Sequence, residues 1–91
     1  MPDGPTLINS VRRAVHLLDA VGSAGGPVPA KALARQTQLP LATTYHLLRT
    51  LVYEGYLTRQ QGGYVLGDRL TTLVANGPAR ERPDAAPRVV I

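Results

Sequence analysis

Ninety-one residues with no cysteine and a formal net charge of +4 make at most one small, basic domain. The missing cysteines exclude disulfides, thiolate catalysis and the usual structural zinc sites, and the two histidines, His16 and His46, form no ligand cluster. No apolar run is long enough to span a bilayer and the N-terminus lacks a signal-peptide pattern, so a cytoplasmic protein with no metal and no cofactor is expected.

Residues 1–8 read as a flexible N-terminal arm that starts with Pro and Gly, ahead of a domain at 9–75. A helical period begins within the arm and runs over 7–21. Leu7, Val11, Ala14, Val15, Leu18 and Val21 share one arc, Ile8 and Leu17 widen it on both sides, and Arg12, Arg13, His16 and Ala20 lie opposite. Asn9 or Ser10 is expected to cap its start. The apolar arc is wider than one small domain needs. Part of it is expected to meet a second subunit, giving a homodimer through this first helix; the plainer alternative is a well-buried helix.

The glycines of 22–26 break the helix, and Val28 suits one short strand. A second, short helix starts at Pro29 or Ala30 and ends at Thr37. Leu33 faces in with Ala30 and Thr37, while Lys31 and Arg35, four apart, share the outer face. Gln38 makes a turn into a third helix, and two helices joined by so short a turn are a helix-turn-helix signature. Pro40 suits the opening of that third helix and Gly55 its end.

The third helix, 40–54, splits into two faces. Leu41, Thr44, Leu47, Leu48, Leu51 and Val52 fall on the inner arc. Ala42, Thr43, Tyr45, His46, Arg49, Thr50 and Tyr53 fall on the outer one, with Glu54 off to the side. The outer face carries hydroxyls, an imidazole and a guanidinium, and no acid. Such a face can donate to phosphates and read base edges in a major groove, although a solvated face lacking acids would look the same.

After Gly55 the period shortens. Residues 56–60 and 64–66 suit two strands, with Gly62-Gly63 supplying the positive angles of a tight turn. Asp68 starts a last short helix, and residues 76–91, mixed in charge and rich in proline, are expected to be disordered. With no Phe and no Trp, aliphatic Leu, Val and Ala are expected to make the core. The chain is thus mostly α with a small β-hairpin, in the layout of a winged helix-turn-helix.

Residues 9–73 resemble the DNA-binding domain of the IclR family of bacterial transcription regulators. The resemblance is carried by SVRRA at 10–14, Leu17-Leu18, Leu33-Ala34-Arg35, Leu39-Pro40, ATTYHLLRTL at 42–51, Glu54-Gly55-Tyr56 and Tyr64-Val65-Leu66-Gly67. It implies a dimeric regulator with the third helix in the major groove and a wing, 56–66, on the backbone or minor groove. Three positions depart from the family's habit: His46 where an Arg is frequent, Ala42 where a Ser is usual, and Gln38 where the turn usually has Gly. The family continues into an effector-binding domain, whereas these residues stop in a tail. The chain is therefore expected to be a fragment, a truncated product or a stand-alone reader, with no small-molecule effector of its own.

On this reading the partner is double-stranded DNA. Lys31, Arg35, Arg59 and the start of the third helix are expected on phosphates; Thr43, Tyr45, His46 and Arg49 are expected on base edges. Ala42 and Thr44 are counted among the contacts of the same stretch. Arg49 suits a bidentate pair with guanine or a phosphate equally, and Tyr45 suits the groove or the domain edge. Two other classes fit less well. A winged helix used only for protein contact calls for an apolar outer face on the third helix, and this one is polar and basic. An enzyme calls for a nucleophile–base pair or a phosphate-cradling loop, and the GSAGG run follows a helix rather than a strand. The basic residues are scattered across elements rather than lined along one helix, which disfavours a membrane surface.

Overall fold

The computed structural model describes residues 6–77; the expectations for residues 1–5 and 78–91 lie outside it. The elements are α1 (Asn9–Ala24), α2 (Ala30–Thr37), α3 (Leu41–Tyr53), β1 (Leu57–Gln60), β2 (Gly63–Leu66) and α4 (Asp68–Ala75). Three helices followed by a hairpin form a winged helix-turn-helix. α1 packs on α2, α3 and β2, and α3 packs on α2 and β1. One core lies where these meet: Leu17 and Val21 of α1, Val28, Ala30, Leu33 and Ala34 around α2, Leu48 of α3, and Leu57 and Tyr64 of the hairpin.

α1 runs past its expected end, to a left-handed Gly25. Asn9 and Ser10 do not cap it. Both are already helical, and the cap position falls on Ile8, which offers no side-chain acceptor. Its buried side is also rotated from the expected centre. Leu17, placed at the margin, is 0% exposed, whereas Val11 and Val15 are 57% and 48% exposed. An apolar arc wider than its contacts leaves the choice of buried side to the neighbouring elements.

The turn after α2 takes an unusual backbone. Gln38 has φ 59° and ψ 41°, and its N–H donates to the Arg35 carbonyl at 3.2 Å while that of Leu39 reaches Ala34 at 3.0 Å. A left-handed conformation at a residue with a Cβ costs roughly 1–2 kcal/mol. Gln38→Gly removes that cost but adds about 0.5–1 kcal/mol of unfolded-chain freedom. A net gain of about 0.5–1 kcal/mol is expected, read as a higher urea midpoint at unchanged slope. A lower midpoint would mean that contacts of the Gln38 side chain outweigh the strain.

Pro40 stands at the cap of α3, extended rather than helical, and Gly55 (φ 88°) ends the turn that follows the helix. Leu48 and Thr44 are fully buried, and Leu47, Leu51 and Val52 are half-buried, as the inner arc requires. Leu41, expected inside, is exposed at the edge of the α2–α3 turn, where it lines a hollow with Ala34 and Leu39 instead of entering the core.

The strands pair antiparallel with Gln60 opposite Gly63, so the loop is Gln61-Gly62, one residue earlier than expected. Gly63 instead belongs to β2, where Val28 bridges to Tyr64: the Tyr64 N–H donates to the Val28 carbonyl at 2.9 Å and the Val28 N–H returns to Tyr64 at 3.1 Å. A Cβ at Gly63 would fall 2.2 Å from the Val28 carbonyl, so the bridge demands glycine. The core is not purely aliphatic, since Tyr64 is buried in it. α4 buries none of its residues. It is held at its start by the Gly67 N–H on the Tyr56 carbonyl at 2.9 Å and the Arg69 N–H on the Gly55 carbonyl at 3.1 Å. No helix among the described residues is long and apolar enough to cross a membrane.

Candidate nucleic-acid interface

α3 is held by Leu48 and Thr44 on one side and turns its other side to solvent. Ala42, Tyr45, His46, Arg49, Thr50 and Tyr53 are exposed, and Thr43 is half-buried. Tyr53, on the outer arc yet not among the expected contacts, is the most open of these aromatics at 85%. Thr44 must be withdrawn from the contact set. Its side chain is fully buried and its hydroxyl donates to the Pro40 carbonyl at 3.0 Å, so it is a core residue with its polar need met inside the helix. Thr50 is partly occupied too, donating to the His46 carbonyl at 3.1 Å.

The cations surround this face. Lys31 and Arg35 are exposed on α2 and line a shallow hollow with Ala34, Leu39 and Leu41 at the turn into α3. Arg49 and Arg59 lie on the opposite flank, where α3 meets the wing, and share a hollow with Tyr45, Val52 and Tyr64. Lys31, Arg35, Arg49 and Arg59 form no ion pair among the described residues. A row of unpaired cations around an acid-free helix face is an electrostatic footprint for a polyanion.

The other flank of α3 is different. Between α1 and α3 runs a groove of about 470 Å³, lined mainly by Val11, Ala14, Val15, Leu18, Leu47 and Leu51. The exposed Leu7 and Ile8 extend its apolar character towards the start of α1. Among the described residues no group of three His, Cys, Asp or Glu side chains gathers to hold a metal.

The IclR helix-turn-helix domain matches residues 10–61 of this chain, from α1 through the first strand of the wing. The chain belongs to the IclR family. Among solved structures this IclR domain is similar to the Agobacterium tumefaciens repressor BlcR, at 26% identity and TM-score 0.68, over 76% of this chain and 28% of that one. It is similar to an IclR homolog from Microbacterium sp., at 28% identity and TM-score 0.69, over 75% of this chain and 29% of the other. A third likeness is to an IclR-family regulator from Rhodococcus sp., at 28% identity and TM-score 0.67, over 84% of this chain and 32% of that one. The chain thus spans less than a third of the length of each of these three proteins. No curated protein matches it. The matched domain is a DNA-binding one of transcription regulators.

Proposed function

We propose that this chain reads double-stranded DNA in a sequence-specific way, as the DNA-binding part of a transcription regulator in the cytoplasm. α3 lies in the major groove and the wing lies on the neighbouring backbone. Thr43, Tyr45 and His46, with Ala42 at close range, face base edges; Lys31, Arg35 and Arg59 face phosphates. Arg49 sits between the two groups. The observation that carries this reading is the exposed, acid-free outer face of α3 with cations of α2 and of the wing beside it that form no ion pair among the described residues. If several phosphates are neutralised, log affinity for duplex DNA falls linearly with log salt, at about −0.9 per phosphate. Titrations across salt concentrations test this. A flat response, or no binding at low salt, would remove the reading.

The apolar stripe of α1 supports a homodimer. Val11 and Val15 are exposed along the groove with α3, Leu7 and Ile8 just ahead of α1 extend the patch, and an isologous contact uses such a self-complementary patch twice. Leu17 is no probe of it, because it is a core residue. Val11→Glu leaves the core untouched and is expected to weaken self-association in sedimentation at rising concentration. A wild-type protein that stays monomeric at high concentration would return the stripe to plain exposure. The described residues are not expected to bind a small-molecule effector.

A further inference from the structure

The wing carries an arginine on the face it turns to the body. In the hairpin register Arg59 stands opposite Tyr64, and Leu57 stands opposite Leu66. Opposed residues point to one face of a sheet, and residues two apart along a strand share it. Arg59 therefore shares its face with Leu57 and Tyr64, both buried in the core. Arg59 itself is exposed, at the mouth between wing and helix. There it lines a hollow of about 250 Å³ with Tyr45, Arg49 and Val52 of α3 and Tyr64 of β2. The lining holds two guanidinium groups, two phenols and no carboxylate. Neither arginine has an ion pair or hydrogen bond among the described residues.

Two guanidinium groups facing one hollow repel each other, and water screens that repulsion without reversing it. An anion reverses it, and a phosphate fits best because two planar forks can bond its oxygens at once. The hollow is not closed. It continues into a neighbour of about 420 Å³ that shares Tyr45, Arg59 and Tyr64 and passes the hairpin turn to reach Pro29 and Ala30. An open trough suits a chain of phosphodiesters better than a small enclosed anion.

We infer that Arg49 and Arg59 jointly hold one backbone phosphate of the DNA in the angle between α3 and the wing, an inference that rests on the DNA-binding reading above. The phosphate joins two elements that otherwise meet there with like charges. Arg49 is then a positioning residue, setting the depth and register of α3. Discrimination between bases falls to Thr43, His46 and their neighbours on the outer arc.

The test is a double-mutant cycle on the 91-residue protein, comparing wild type, Arg49→Ala, Arg59→Ala and the double variant. Each is titrated against a duplex selected from a random library and against random duplex, at two salt concentrations, with circular dichroism and thermal melts to check the fold. Either single substitution is expected to weaken both duplexes alike, by roughly tenfold. The double variant is expected to weaken them by clearly less than the product of the single losses, because both side chains act on one phosphate. The salt slope is expected to fall by no more than about 0.9 in any of the three variants, since only one phosphate is neutralised. Arg49→Lys and Arg59→Lys are expected to keep the slope but recover only part of the affinity, since lysine lacks the fork.

Loss confined to the selected duplex in Arg49→Ala would make Arg49 a base reader and overturn the inference. Multiplying losses with a slope change near 1.8, twice the single-phosphate value, would mean two separate phosphates and overturn it as well. Inorganic phosphate, titrated by NMR, separates the sources of the anion. If it binds this hollow while neither substitution changes DNA affinity, the site holds a free anion and the inference fails. Wild-type protein that binds neither duplex would instead remove the DNA-binding reading, and the inference with it.

Discussion

Leu48→Ala is expected to lower stability by about 3–5 kcal/mol, the cost of a cavity in a core with little else to close it. Leu48 is fully buried at the centre of α3 and packs in the cluster that joins α1, α2 and the hairpin. A domain this small buries a modest fraction of its surface, so its total stability sits at the low end of the usual range. The melting temperature should fall by roughly 15–30 °C. DNA affinity should fall with it at 37 °C, through the unfolded fraction alone, and recover on cooling. A loss below about 1 kcal/mol would mean that the core does not close over this side chain.

Gly63→Ala is expected to cost about 2–4 kcal/mol by a different route. The new methyl would overlap the Val28 carbonyl, so the two hydrogen bonds between Val28 and Tyr64 must break or lengthen. The damage is local. Amide exchange at Val28 and Tyr64 should quicken well beyond that of α3, because the wing leaves the body before the helices part. Binding to random duplex should weaken too, since Arg59 moves with the wing. Unchanged exchange at those two amides would show that the bridge does not hold the wing. Gly67 works on the same principle, as a Cβ there would meet the Gly55 carbonyl at 2.4 Å.

Much of the architecture is local and was legible for that reason. The period of 3.6 over α3, the proline before it and the glycine after it located a helix without any partner in view. The same holds for the short turn at Gln38 and for the hairpin, whose glycines mark a turn within one residue of its place. The two arcs of α3 were readable save that Thr43 is half-buried and Leu41, read as inner, is exposed; Thr44, on the inner arc yet counted among the contacts, is buried as its arc requires.

Tertiary packing decided what periodicity leaves degenerate. An apolar arc broader than a contact does not say which part is covered. On α1 the neighbours chose Leu17 and Val21 and left Val11 and Val15 to solvent. A strand has two faces, and alternation alone does not say which turns inward. Packing of β2 on Val28 and α1 put Tyr64 into the core, and packing of β1 on α3 brought Arg59 to the hollow that Arg49 lines, so that two cations ten residues apart on different elements share one site. The need for glycine at position 63 arises from a backbone thirty-five residues away. Propensity, charge and period belong to a segment and its near neighbours. Register, close backbone approach and the convergence of side chains belong to segments that meet only when the chain has folded.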